Sequence, residues 1–142
     1  MARVILTGPL AWPPLLDRIA GCDLAGGAVR VTLADAAVAG GDACFPLTVP
    51  AEGTQTAGLL VEAGATGVFD RLSFFAAVIG AAPVPRHVGA EGEAAAVAFL
   101  GPEANGPAPD DWSRDGWAGR WGATALAAAE EIMGYLATHV PE

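Results

Sequence analysis

Residues 3–10 read RVILTGPL, and the fold turns on this stretch. Val4, Ile5, Leu6 and Thr7 bring three β-branched residues and a leucine to one segment, a composition that suits extended backbone. Gly8-Pro9 then reads as a turn, because glycine admits unusual φ values and proline fixes its own. The segment is therefore expected to be a short buried strand followed by a loop. It is too short for a signal-peptide core, lacks a small-x-small cleavage site, and reads as a first strand instead.

Outward from this strand, Pro13-Pro14 opens a helical stretch, Leu15 to Ile19, stopped at Gly21. Proline suits a helix start because its missing N–H has no intrahelical partner there. Ala28 to Leu33 alternates, with Val29, Val31 and Leu33 on one face. Cys44 to Val49 is a short apolar run broken by Pro46, expected as an edge strand or an extended loop. Thr56 to Val61 reads as a strand whose Gly58 marks a bulge or a close backbone approach.

The period changes at Thr66 to Ala77. Val68, Phe69, Leu72, Phe75 and Ala76 fall at helical spacings, with Thr66 as N-cap and Asp70 and Arg71 on the polar face. Pro83 to Val88 and Ala94 to Leu100 read as two strands joined by a hairpin loop that carries Glu91 and Glu93. Residues 101–111, rich in Pro, Gly and Asp, read as a surface loop. Trp117, Trp121, Ala125, Ala128, Ile132 and Leu136 recur every three or four residues, the mark of an amphipathic helix of about 20 residues. Strand-rich order with scattered helices predicts an α+β domain with a mixed or antiparallel barrel-like sheet and a long C-terminal helix.

The chain has 142 residues, 53% of them hydrophobic and 16% charged. That suits one domain, residues 1–142, with one core. Net charge is −9, and all seven basic residues are Arg. Such an acidic chain repels phosphate backbones and anionic membrane surfaces, so nucleic acid and membranes are not expected partners. Mean hydropathy is +0.42, yet no window reaches the roughly 18 unbroken apolar residues of a membrane span. A cytoplasmic location is expected. Cys22 and Cys44 read as two buried, reduced thiols, and no Cys/His cluster offers zinc a home. No cofactor or metal is expected. Gly26-Gly27 and Gly40-Gly41 lack phosphate-loop spacing and read as turns.

Four segments in order carry a resemblance. Residues 4–10, VILTGPL, resemble the hydrophobic-x-hydrophobic-Tyr-Gly-Thr-Leu signature of gamma-glutamylcyclotransferase-like domains, with Thr7 where Tyr is usual and Pro9 where Thr is usual. Residues 45–50, FPLTVP, resemble the family's Phe-Pro-apolar segment, and residues 58–61, GLLV, its following strand. Residues 71–77, RLSFFAA, line up with Arg-Leu-Asp-x-Tyr-Glu-Gly. Within the family, the tail from Trp112 to Leu136 resembles the front half of tellurite-resistance, ADP-ribose-pyrophosphatase-like proteins. There such a domain precedes a Nudix hydrolase. No Nudix box is present here, so the chain is expected to be the front domain alone, with a Nudix-type domain as one expected partner.

The resemblance implies a mixed β-barrel and a reaction in which the α-amine of a gamma-glutamyl compound attacks its own side-chain carbonyl. That reaction needs a general base. The family's base is the Glu of Tyr-Glu-Gly, and its Tyr-Gly-Thr-Leu loop binds substrate through backbone amides. Ala76 stands at the Glu position and carries no proton. Removal of a general base costs roughly 10²- to 10⁴-fold in rate. Pro9 removes a backbone donor from the loop. The expected ligand-binding set is Thr7, Gly8, Pro9, Leu10, Ser73 and Ala76. The expected function is non-catalytic binding of a small polar metabolite or a protein partner.

The rival expectation is an active enzyme with a relocated carboxylate, Glu62 or Asp70. Asp70 precedes Ala76 by six residues, about 600° of helical turn, so the two side chains diverge. Glu62, Glu91 and Glu93 also read as solvated surface acids. His87 reads as a lone structural histidine, His139 as inert, and Ser73 has no neighbouring His/Asp arrangement to make it a nucleophile. Trp117 and Trp121 are expected core anchors, whereas Trp12 and Trp112 lie near loops where they could line a pocket or partner surface.

Overall fold

Val4, Ile5, Leu6 and Thr7 are all buried, because their strand lies mid-sheet with a core on each face. The computed structural model describes residues 3–39, 44–64, 67–88, 94–101 and 113–139. Five strands, β1 (Arg3–Thr7), β2 (Val29–Ala39), β3 (Leu47–Glu62), β4 (Ala82–Val88) and β5 (Ala94–Leu100), form one sheet in the order β2-β3-β1-β5-β4. Three α-helices, α1 (Pro13–Ala20), α2 (Val68–Ile79) and α3 (Arg114–His139), pack on it. The architecture is α+β with a curled, mixed, half-barrel sheet.

β1 runs antiparallel to β3, with Arg3 opposite Glu62 and Thr7 opposite Gly58, and parallel to β5. A strand covered on both faces reads as an unbroken apolar run. Val4 and Leu6 turn to the helices and join Leu15, Leu16, Ile19, Leu72 and Phe75. Ile5 turns inward and meets Leu33, Ala36, Ala98 and Leu100 in a second, smaller core inside the curl.

The curl has a local cause. Between the pairs Ala34–Gln55 and Ala36–Pro50, Asp35 alone faces residues 51–54. This bulge bends the ribbon. Asp35 takes a left-handed φ of 55°, which aspartate tolerates better than most residues, and its Oδ1 accepts the Gly53 N–H at 3.0 Å. The run 44–49 and the strand 56–61, expected as separate elements, are thus one strand on either side of a bulge. Residues 47–50 are no edge: they pair with residues 36–39 of β2, while the Thr48 carbonyl accepts the Gly101 N–H at 2.7 Å. Pro46 lies just before the strand, where no ladder donor is lost. β2 runs on to Ala39, past the expected end at Leu33. β4 is an edge, and its Pro83 and Pro85, two residues apart, withhold donors on one side only.

α1 starts at the two prolines, is capped by Gly21, and buries Leu15, Leu16, Ile19 and Ala20. Asp17 Oδ1 accepts the N–H groups of Leu24 and Ala25 at 2.9 Å each, fastening the turn that follows. α2 is capped by Gly67, so the expected N-cap Thr66 falls one residue early and outside the described residues. Arg71 on α2 donates Nε–H to the Ile19 carbonyl at 2.8 Å, a cation at the carbonyl end of α1. α3 is longer than expected. Ser113 Oγ accepts the Gly116 N–H at 2.9 Å as its N-cap. Trp117, Gly122, Ala125, Ala129 and Met133 form its buried line, with Trp121, Ala128, Ile132 and Leu136 flanking it half-buried.

The two cysteines correct one expectation. Cys22 is exposed, because it follows the cap of α1 and leaves the core, and Cys44 is half-buried; both are free thiols. Burial pushes the Cys44 thiol above its ordinary value. No helix among the described residues is long and apolar enough to cross a membrane.

Candidate functional site

Where β1 ends, Gly8 turns the chain with a φ of 61°, a conformation that favours glycine. The next residues wind into a 3₁₀ turn, Gly8–Ala11, whose Pro9 carbonyl accepts the Trp12 N–H at 3.0 Å. A groove of about 530 Å³ opens beside this turn. One wall is the β2–β3 ribbon, including Arg30, Gln55 and Leu59; the other is the start of α3, residues 113–115. Arg30 pairs directly with Leu59, so the two share a face of the ribbon. Arg114 donates Nη1–H to the Ala11 carbonyl at 3.3 Å, which ties the helix start to the 3₁₀ turn. Asp115 lies 4.0 Å from Arg114, with a 97% exposed side chain.

Of the loop expected to bind, Gly8 lines this groove and Thr7, Pro9 and Leu10 do not. Thr7 Oγ–H donates to Thr48 Oγ1 at 2.6 Å, in the buried interior. Pro9 is buried, and Leu10 joins the main core. Ser73 and Ala76 sit on α2, away from the groove lining. Ala76 is fully buried with Leu72 and Phe75, and Phe75 meets Phe45 edge-on at 5.4 Å. Apolar packing therefore fills the surroundings of the methyl group. Ser73 Oγ is buried without a hydrogen-bond partner among the described residues. The structure does not gather the expected set Thr7–Leu10, Ser73 and Ala76 around one cavity.

The relocated acids are elsewhere too. Glu62 pairs across from Arg3, four residues along β3 from Gly58. That is about 13 Å of strand. It lines a separate depression of about 380 Å³ with Arg3, Asp23 and Leu24, and its carboxylate is 4.0 Å from Arg3. Asp70 is exposed in the first turn of α2. His87 is exposed on β4, and Glu91, Glu93 and Trp112 lie outside the described residues, as does the side chain of His139. Among the described residues no cluster of His, Cys, Asp and Glu could hold a metal ion.

The tryptophans explain the junction of α1 and α3. Trp117 is buried and donates Nε1–H to the Cys44 carbonyl at 2.8 Å. Trp12 meets it edge-on at 5.5 Å. A Cβ on Gly122 would stand 2.7 Å from the Trp12 ring, so α3 needs glycine there to approach. Trp12 is thus a packing residue. Sequence reasoning missed Arg30, Gln55, Arg114 and Asp115 as groove residues, since they lie far apart in the chain and form no motif.

Comparison with known proteins finds no matching family model and no matching curated protein. Two solved structures from Arabidopsis thaliana share the fold. The solution structure of At5g39720.1 superposes with a TM-score of 0.63 at 14% identity, over 99% of this chain and 95% of that one. The solution structure of At3g28950.1 gives a TM-score of 0.61 at 10% identity, over 97% of this chain and 85% of that one. At such identities the likeness is one of fold.

Proposed function

We propose that this chain is a degenerate gamma-glutamylcyclotransferase-like domain that binds a small polar metabolite without converting it. The observation that carries the reading is the groove beside Gly8, whose only carboxylate among the described residues is the solvent-exposed Asp115. Ala76, which the resemblance matches with the family's glutamate, is fully buried with Leu72 and Phe75 and offers no proton. Neither Glu62 nor Asp70 reaches the groove beside Gly8. Release of 5-oxoproline from gamma-glutamyl dipeptides tests the reading, with none expected above the uncatalysed background.

One observation favours a second reading, an enzyme with a relocated acid. Asp115 lines the groove. Its side chain faces solvent almost completely, so it lacks the enclosure in which a general base is usually tuned. Under this reading turnover would be measurable and would fall at least 100-fold in Asp115→Asn.

A further inference from the structure

We propose that the groove beside Gly8 is a site for a small carboxylate anion, held by Arg30 and Arg114. This deepens the binding function proposed above and rests on it. The chain carries a net charge of −9 and seven basic residues, so its overall field repels anions. Two of the seven nevertheless face one groove from elements far apart in sequence, β2 and the start of α3. With Asp115 counted against them, the lining is net positive by one charge.

The placement of Arg114 runs against local preference. A cation in the first turn of a helix sits at the positive end of the helix dipole. Its hydrogen bond to the Ala11 carbonyl fixes the side chain but leaves its charge uncancelled. Asp115 offsets little of it, being 4.0 Å away and solvent-screened. Among the described residues Arg30 forms no ion pair. Gln55 adds an amide, and Ser113, whose oxygen accepts the Gly116 N–H, keeps its own O–H to donate. Leu59 and Ala57, on the same face as Arg30, give the groove apolar surface for a carbon skeleton.

Guanidinium forks pair with carboxylates through two parallel hydrogen bonds. A phosphate concentrates its charge on one centre, whereas a dicarboxylate spreads the same charge over two carboxylates, one for each guanidinium, so a carboxylate fits better. The volume of about 530 Å³ lies within the roughly 300–1,000 Å³ of small-molecule sites.

Calorimetric titration of the full chain tests this, with succinate and glutarate as probes against their uncharged diamides and inorganic phosphate. At least one dicarboxylate should bind at least tenfold tighter than its diamide, and the binding should weaken as salt rises. Arg30→Gln and Arg114→Gln should each weaken it at least tenfold, while Arg86→Gln, on β4 outside the groove, should leave it unchanged. Circular dichroism would confirm that each variant is folded. Failure of both dicarboxylates to bind, equal binding of acid and diamide, equal binding of phosphate, or indifference to both groove variants would overturn the proposal. The turnover assay reads separately: 5-oxoproline release would end the non-catalytic reading and leave carboxylate recognition standing.

Discussion

Thr7 Oγ–H donates to Thr48 Oγ1 across 2.6 Å, joining the end of β1 to β3 inside the curl, with both residues buried. The residue that stands where the resembling family has tyrosine is therefore engaged with its own fold. Removing one partner of a buried hydrogen bond leaves the other unsatisfied, at about 1–3 kcal/mol, whereas replacing both with apolar isosteres is close to neutral. Thr7→Val and Thr48→Val should each lower urea-unfolding stability by about that amount, and the double variant should lose less than the sum. Strict additivity would show that the pair makes no coupled contribution.

The Ser73 Oγ on α2 is buried without a partner among the described residues. Ser73→Ala removes an unmet hydroxyl and improves helix propensity in α2. The variant should be more stable by about 1 kcal/mol in chemical denaturation. A loss of stability would mean that the hydroxyl has a partner the fold requires.

Two glycines are set by close approach. A Cβ on Gly58 would stand 2.9 Å from both the Leu6 carbonyl oxygen and Thr7 Cγ2, and one on Gly122 2.7 Å from the Trp12 ring. Backbone cannot yield as a side chain can, so Gly58→Ala should cost about 1–3 kcal/mol. Gly122→Ala should also shift the Trp12–Trp117 edge contact, read as a change in near-ultraviolet circular dichroism. Gly119→Ala, with open space around it, should be neutral or mildly stabilising. A common response of all three variants would contradict the packing described.

Cys22 is exposed, while burial raises the Cys44 thiol. At pH 8 iodoacetamide should label Cys22 first, as resolved by peptide mass spectrometry. Because the folded thiol of Cys44 holds its proton more tightly than the unfolded one, its share of stability is complete below about pH 8.5 and is lost as pH rises through the folded value. Cys44→Ala should flatten that alkaline decline. Faster labelling of Cys44 would show that its carbonyl-side tie to Trp117 leaves the thiol open.

Elements marked by local punctuation were legible in the sequence. α1 lies between Pro13-Pro14 and Gly21, β1 ends at Gly8-Pro9, and α3 was visible as a helix, although of its expected line only Trp117 and Ala125 are buried while Trp121, Ala128, Ile132 and Leu136 flank them. The continuity of β3 was not legible, because residues 50–55 separate the two runs read as strands and only pairing with β2 makes residues 51–54 a bulge. The second half of β2 is mostly alanine, which carries little strand preference. For the site, Gly8 was visible as a turn residue. Arg30, Gln55 and Arg114 meet only through the sheet register and the return of α3, which no local pattern encodes.

We propose that none of the described residues carries the proton transfer which cyclisation of a gamma-glutamyl compound needs. The most direct measurement is 5-oxoproline release from gamma-glutamyl dipeptides by the purified wild-type chain, with Glu62→Gln, Asp70→Asn and Asp115→Asn alongside. Release at the uncatalysed background is expected for all four. Multiple turnovers by the wild type, abolished in one of the three variants, would contradict it and identify the acid at work.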